Sequence, residues 1–508
     1  MKRDFFKKQY IWLLLLVVAV IALFFVVFPE TAMARPGGGH GYHGGGGHSG
    51  GGGGGGGGGD SGLAQLFIYC LINYPVPTLI VTAILVVIYL LTKGKESSSN
   101  VGNVSSRPTS TNIMQKAGVI NRGLSAIKES DRNFSVPIFM DYASLLFTKM
   151  HLYISNDKIK EVEPFFLQPL DKWNNYDISE VVIGSADISE VSYSTDQQSS
   201  RRMAKIVVCF KANYTARAKS NGQKFRCNVV ENWLFERDVN AQSPAPEGMG
   251  VLRCPCCGAP AEFTDSGECK HCGNLVSVTN NVWMVKSVVV VSTERVKTSD
   301  VITYAEEVGT NYRTIVDPTL MQQAPTFASL HQGLMFDSFG PNIAEPYFKE
   351  IYSLYSNLKW EQARHLLSDR LWQSMNYWIQ FCKDYGCRNV LDDVMVHKVV
   401  PVKYDVDNYY ESLTVRIFAS CYDYYADNAG KLIAGNKSRP RSFSEYWTFV
   451  SRKGADLSAK NLSVCPSCGA PVDHMGQSGV CGYCGSKITD GNFSWVLFSI
   501  TQDEEYEG

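Results

Sequence analysis

The sequence has no excess of charge of either sign. Its 508 residues include 48 Lys and Arg against 49 Asp and Glu. Nucleic-acid surfaces need clustered basic charge, because most of their contacts are to phosphates. The chain instead ends on an acidic run. This balance argues against a nucleic-acid partner.

The sequence also lacks the common catalytic patterns. No G-x-S-x-G, phosphate-binding loop or dinucleotide glycine motif follows a strand-like run, and no set of metal ligands leaves a coordination position open. We therefore predict that the chain is not an enzyme.

What the sequence does contain is a pair of C-x-x-C turns that occurs twice. Two cysteines two residues apart can direct both sulfurs at one point, and a second turn completes a tetrahedron that suits Zn²⁺. A glycine follows the second cysteine of each turn, where a φ above 0° lets backbone N–H groups turn toward sulfur. The predicted ligands are Cys254, Cys257, Cys269 and Cys272 in the first copy and Cys465, Cys468, Cys481 and Cys484 in the second.

The predicted cofactors are two structural Zn²⁺ ions, one in each copy. Four thiolates leave no position for water or substrate, and spacers of 11 and 12 residues make ribbons too small to fold without metal. The copies align Cys256 with Ser467, so Cys256 is the spare thiol. The C-P-x-C-G turn also resembles rubredoxin, so an electron-transfer iron is one alternative and disulfides are another.

The N-terminal part is predicted to reach a membrane. Residues 1–34 combine a basic start, an apolar run and a small-x-small site after Ala34, the layout of a signal peptide or a first membrane anchor. Residues 35–62 are Gly- and His-rich and predicted to be flexible, and residues 63–92 are predicted to span the membrane. Two lysines follow this span. The positive-inside rule thus predicts a bacterial plasma-membrane protein with one or two spans and cytoplasmic C-terminal domains.

The remaining chain is predicted to hold two α+β domains made by duplication. In each, helical periodicity gives way to β-branched strand runs, then to a Glu-x-Trp-x-Phe run, the cysteine turns and a closing Trp strand. This order places a zinc ribbon at the tip of a β-hairpin. The predicted boundaries are a polar linker at 93–121, a first domain at 122–298 with its ribbon at 252–275, a second domain at 330–501 with its ribbon at 463–487, and an acidic tail at 502–508.

Several runs of the second domain resemble the Tim44-like domain family, named for a subunit of the mitochondrial inner-membrane translocase. They are Arg388–Asn389, Cys421–Tyr424, Lys431–Gly435, Glu445–Phe449 and Arg452. The resemblance covers residues 337–501 well and 122–298 more loosely, through Glu231, Trp233 and Phe235. It implies two tandem cone-shaped domains like nuclear transport factor two, in which helices pack on a curved antiparallel sheet around an apolar pocket.

The resemblance implies binding rather than catalysis, because the mitochondrial relative binds acidic lipid and docks a chaperone. We predict a membrane-anchored, zinc-stabilised scaffold for an unidentified protein or peptide at the inner leaflet, with anionic lipid as a further partner. One alternative is an isomerase- or dehydratase-like enzyme that uses the pocket, with Asp141 and Tyr142 or Asp423 and Tyr424 as acid and base. Nucleic-acid binding through the ribbons is another, which the charge balance disfavours.

Overall fold

The computed structural model describes residues 110–508 apart from short gaps, and residues 113–508 belong to one compact unit. The gaps are residues 156, 169, 171–174, 197–199, 244, 246–251, 253, 255–258, 260–261, 265–267, 275–282, 297–307, 456, 458–463, 472–478 and 504.

The first half consists of helices followed by a four-stranded antiparallel sheet. Pro137 lies in the first turn of the second helix, where a missing N–H breaks no helical hydrogen bond. The elements are α1 (Ser110–Ser130), α2 (Val136–Tyr153), β1 (Tyr176–Thr195), β2 (Arg202–Ala218), β3 (Lys224–Asp238) and β4 (Met284–Val296). Neighbouring strands pair in chain order, β1-β2-β3-β4, as expected for a meander.

The second half repeats this plan with more helices and one more strand. Its elements are α3 (Leu320–Leu330), α4 (Phe336–Phe339), α5 (Glu345–Ser356), α6 (Asp369–Asp384), β5 (Cys387–Val406), β6 (Tyr410–Asp427), β7 (Leu432–Gly435), β8 (Arg441–Arg452) and β9 (Val496–Gln502). The sheet order is β5-β6-β8-β9, and β7 pairs with β6. In both halves, helices precede an antiparallel sheet. The prediction of the α+β class is thus confirmed for the described residues.

Two helices begin earlier than the predicted domain boundaries. Helix α1 starts at Ser110, inside the stretch 93–121 that we predicted to be a linker. Helix α3 precedes residue 330, the predicted start of the second domain, and its Phe327 is fully buried in that core. Polar, Ser- and Thr-rich sequence at the start of α1 conceals that helix from a periodicity search, and Pro325 inside α3 argues against a helix there.

The alternating Trp and Phe of the sheets point into the cores, as predicted from the period-two pattern. Trp233 and Trp447 are fully buried. The ring of Trp233 lies 5.3 Å from that of Phe147 on α2, and the ring of Trp447 lies 5.0 Å from that of Phe348 on α5. Aromatic rings therefore fill the inner faces of both sheets at these positions, where the family resemblance implies a pocket.

Two buried hydrogen bonds recur in both halves. In one, a helix tyrosine donates to the carbonyl of the tryptophan before the last strand, and in the other an indole donates to the glutamate two residues earlier. The pairs are Tyr142 to Trp283 (2.7 Å) and Trp233 to Glu231 (2.8 Å), then Tyr347 to Trp495 (2.5 Å) and Trp447 to Glu445 (2.9 Å). The halves share these contacts as well as their order of elements.

The C-terminal residues pack against both halves. Asp503 is buried and forms an ion pair of 2.9 Å with Arg416 on β6. Glu505 reaches Lys211 on β2 of the first half at 2.7 Å. The acidic run that we predicted as a tail at 502–508 therefore forms specific ion pairs.

The predicted localisation needs correction. Within the described part of the chain, no helix combines the length and the apolar character needed to cross a membrane. The prediction of a plasma-membrane protein with one or two spans is therefore wrong for these residues. Residues 1–34 and 63–92, on which it was based, lie outside the described residues.

Candidate metal centres

The second cysteine set comes together in space. The sulfur atoms of Cys465, Cys468, Cys481 and Cys484 all lie within 4.8 Å of one another. Cys465 and Cys481 are buried and Cys468 and Cys484 are exposed. Each turn thus contributes one buried and one exposed cysteine, an arrangement that suits a tetrahedral site at the protein surface.

The sulfur separations fit a metal site. The Sγ atoms of Cys465 and Cys484 are 3.7 Å apart, and those of Cys468 and Cys481 are 3.8 Å apart. Four sulfurs at about 2.3 Å from one Zn²⁺ define a tetrahedron with edges of about 3.8 Å. A disulfide requires about 2.05 Å. The geometry favours a four-thiolate metal centre over disulfides, and that these four cysteines bind zinc stays a prediction.

Glycines shape the cysteine turns as predicted. Gly469 and Gly485 both have a φ of 74°, and Gly273 in the first copy has a φ of 71°. The N–H of Gly469 donates to the carbonyl of Cys465 at 2.8 Å. Glycine adopts this left-handed conformation without a Cβ penalty, so each turn can close tightly behind its sulfurs.

The first cysteine set is described for three of its four predicted ligands. The sulfurs of Cys254, Cys269 and Cys272 lie within 4.8 Å of one another, with Cys254 and Cys272 at 3.9 Å. Cys257 and the spare thiol Cys256 lie outside the described residues. The three described sulfurs therefore have the spacing seen in the second set.

Hydrogen bonds favour a thiolate at the surface of the second set. Bonds with Ser486 lower the pKa of the Cys484 thiol to about 6. The Ser486 hydroxyl oxygen lies 3.3 Å from the sulfur of Cys484 and 3.0 Å from the hydroxyl oxygen of Ser467, and the backbone of Ser486 also bonds the sulfur. Since the thiolate is the form that binds metal, this environment prepares Cys484 as a ligand near neutral pH.

An ionic cluster docks the second cysteine hairpin on the body of its domain. Asp369, the first residue of α6, accepts hydrogen bonds from Lys487 at 2.6 Å and from Thr489 at 3.1 Å. The same carboxylate pairs with the buried guanidinium of Arg364. Lys487 and Thr489 follow the last cysteine turn, so Asp369 fixes the position of the hairpin. No sequence pattern indicates this contact, because the partners are ordinary polar residues that lie far apart in the chain.

Gly479 allows this close docking. Its φ is 62°, and a Cβ added there would lie 2.3 Å from Oγ1 of Thr489 and 2.5 Å from Nη2 of Arg364. We predict that Gly479→Ala destabilises the hairpin by about 2–4 kcal/mol, because it combines overpacking with backbone strain. The measurement is thermal unfolding of the purified protein.

Gly454→Ala is the matched control, because Gly454 has a φ of 76° and nothing within 4 Å of an added Cβ. This substitution should lower the stability only by its backbone strain, about 1 kcal/mol. Equal losses of stability in the two variants would show that close packing around Gly479 does not contribute to the effect.

The first hairpin docks through apolar contacts instead. The ring of Phe263 lies 5.6 Å from that of Phe165, edge to face. Phe263, Cys254 and Cys269 belong to the main core of the first half. The cysteine turns are therefore integrated into the core in one half and held by an ionic cluster in the other.

The two residues of the first candidate acid and base pair, Asp423 and Tyr424, do not face the same site. Asp423 is buried, accepts a hydrogen bond from Asn389 at 2.8 Å and lies 3.6 Å from Arg441. Tyr424, the next residue of the strand, points to the opposite face and donates to the exposed Asp392. The carboxylate and the phenol are therefore held by separate partners on opposite faces of the sheet.

The other pair, Asp141 and Tyr142, is no better suited to catalysis. The Tyr142 hydroxyl donates to the carbonyl of Trp283, and burial raises the pKa of Tyr142 well above its usual value. A phenol of this kind does not give up its proton near neutral pH. The geometry therefore supports neither pair as an acid and base.

Residues 337–460 match the family model described as Tim44-like domain. The matched range covers α5, α6 and β5 to β8 and ends before Cys465, so the cysteine hairpin lies outside it. Tim44-like domains are generally non-catalytic binding domains. No curated protein matches the chain.

The part of the chain that matches this family model carries a polar groove of about 500 Å³ between α5 and β5. Its charged lining residues are of both signs: Lys349 and Arg388, Asp392 and Asp393. Asp393 has a φ of 50° and lies in a β-bulge of β5, a distortion that commonly re-aims side chains near functional sites. The groove is thus an exposed, polar, partly concave surface within the matched range.

Proposed function

We propose that this chain is a non-catalytic binding protein whose Tim44-like half holds a protein or peptide partner. The match of residues 337–460 to a family of binding domains carries this proposal. Aromatic rings fill the inner face of the sheet, so we place the partner in the outer groove between α5 and β5. Neighbouring charges of both signs suit a polar peptide segment, because they can pair with its side chains and its backbone groups.

We further propose that the chain is a tandem version of this domain. Both halves would be cones related to nuclear transport factor two, and the shared tyrosine and tryptophan hydrogen bonds support this relation. Each half would hold one structural Zn²⁺ in its cysteine hairpin, which the sulfur separations support. The metal would crosslink the two turns of the hairpin and take no part in chemistry.

The binding proposal predicts that charge reversal in the groove weakens partner capture. Arg388 is exposed and lines the groove, so Arg388→Glu should reduce retention of a partner about tenfold by removing a favourable charge and adding a repulsive one. The measurement is quantitative affinity capture with the full chain as bait, read by mass spectrometry.

Arg439→Glu is the control, because Arg439 is exposed but does not line the groove. A partner that is lost with the Arg388 variant and kept with the Arg439 variant supports the proposal. Retention of every captured protein by both variants would contradict the groove as the binding surface.

A further inference from the structure

Two further cysteines meet where helix α6 turns back into strand β5. Cys382 lies in the last turn of α6, and Cys387 is the first residue of β5. The chain reverses over Tyr385 and Gly386, and Gly386 has a φ of 63°, a left-handed conformation that commonly ends a helix. The N–H of Tyr385 donates to the carbonyl of Phe381 at 3.0 Å, which continues the helical bonding up to this turn. The tight reversal brings Cys387 back beside Cys382.

The two cysteines form a small buried cluster with a tyrosine of β6. Cys382, Cys387 and Tyr425 are 2%, 3% and 3% exposed. Each thiol hydrogen-bonds to the other. The hydroxyl of Tyr425 and the backbone N–H of Asn389 also bond to the sulfur of Cys382. The two sulfurs are therefore in contact, and side-chain and backbone groups of the adjoining strands hold one of them in place.

This pair is not part of a larger ligand set. Within the part of the chain that the structure describes, no third His, Cys, Asp or Glu is placed to complete a metal site with it. The bond between the thiols raises the pKa of Cys382 and lowers that of Cys387, so Cys387 is the more readily ionised of the two. A thiolate is the nucleophilic form of cysteine, and a second thiol beside it can complete a disulfide.

The segment that joins the two cysteines is exposed. Lys383, Asp384 and Tyr385 lie between them in the chain and face solvent, and Arg388, which follows Cys387, is also exposed. The sulfurs are covered but lie next to this surface turn. A local opening of the turn therefore admits a small oxidant without unfolding the domain.

We propose that Cys382 and Cys387 form a redox-sensitive dithiol that a peroxide oxidises to an intramolecular disulfide. The Cys387 thiolate attacks one oxygen of hydrogen peroxide, the O–O bond breaks, and the hydroxide that leaves takes up the thiol proton as water. The sulfur of Cys382 then attacks the resulting sulfenic acid, the S–O bond breaks, and a second water leaves with the remaining proton. Two thiols are thus oxidised to one disulfide, and one peroxide is reduced to two waters.

The disulfide would join the end of α6 to the start of β5. Neither cysteine lines the groove in which we place the partner, so the proposal does not rest on the proposed function.

The test is treatment of the native full chain with hydrogen peroxide, followed by alkylation of the remaining thiols in denaturant and tryptic mapping without reduction. Trypsin cleaves between the two cysteines, after Lys383, so each leaves in its own peptide, residues 371–383 and 384–388. A disulfide joins these peptides into one species that is two hydrogen atoms lighter than their sum. We expect this species to become the main form of both peptides, and dithiothreitol to separate them again.

Cys227 is the control within the same digest. It is also 3% exposed, and the side chains that act on the pKa of its thiol are those of Arg226 and Arg295. Without a neighbouring thiol it should be recovered alkylated. Cys227→Ser should therefore leave the cross-linked species unchanged.

Cys382→Ser and Cys387→Ser should each abolish the cross-linked species, and thermal unfolding shows whether these variants are folded. The mapping of the wild-type chain decides the proposal even if one of them is not. Recovery of both cysteines as free thiols after peroxide would overturn it. Oxidation of either cysteine to a sulfonic acid without the cross-link, or a disulfide from either one to another cysteine, would also overturn it.

Discussion

Cys465→Ser is expected to lose one of the two metal ions and to unfold the second cysteine hairpin. Cys465 is buried, and among the described residues its apolar cluster contains just Cys481 and Ile488 besides itself. Three thiolates and a hydroxyl bind Zn²⁺ far more weakly than four thiolates, and a ribbon of this size has too little core to fold without its metal. The loss of stability should be on the order of 5 kcal/mol, measured by thermal unfolding.

Cys209→Ser is the control for this variant. Cys209 lies on β2, is partly buried and belongs to neither cysteine set. It should keep both metals and nearly all of the stability. If Cys465→Ser retains two metal ions per chain, the second set is not the metal site.

Asp503→Ala is expected to cost about 3–5 kcal/mol of stability, because it leaves the buried guanidinium of Arg416 without its carboxylate partner. Asp503 also accepts a hydrogen bond from Ser444, which itself accepts one from Arg416 at 3.0 Å. Three residues further on, Tyr506 stacks on Tyr446 with ring centroids 3.8 Å apart. Loss of the ion pair should therefore also release the C-terminal residues from the sheet, which limited proteolysis can detect.

Glu507→Ala is the matched control at the same end of the chain. Glu507 pairs with Lys116, and both side chains are about half exposed. A surface pair of this kind contributes about 0–1 kcal/mol, so the variant should unfold close to the wild type. Equal effects of the two substitutions would contradict a buried, specific role for Asp503.

The features that the sequence predicted well are local in the chain. Trp233 and Phe235 alternate along one strand, so their shared burial follows from the geometry of a β-strand alone. The cysteines are two residues apart within a turn, and the second turn follows after a short spacer, so spacing alone predicted that their sulfurs meet. The α+β order followed from the change of hydrophobic period along the chain.

The features that the sequence did not predict depend on contacts between residues that are distant in the chain. Nothing in the run around Asp369 distinguishes it from a solvated acid, although it holds the hairpin through Lys487 and Thr489. The sequence predicts an acidic tail at 502–508, yet Asp503 and Glu505 form ion pairs with Arg416 and Lys211. Composition reports how many charges a segment has but not which partners the fold brings to them.

The family match also explains how the two candidate sites relate. It covers 337–460, which contains the groove, and ends five residues before Cys465 in sequence. The cysteine hairpin therefore lies outside the matched residues. We infer that the cysteine hairpin stabilises the sheet, while the groove of the matched part binds the partner.

The most direct test of this account is the metal content of the purified full chain, measured by elemental analysis together with its visible spectrum. Two zinc ions per chain in a colourless protein, and one in Cys465→Ser, are the predicted results. Iron with a coloured thiolate spectrum, or a folded chain without bound metal, would contradict the claim that the repeated cysteine sets are structural zinc centres.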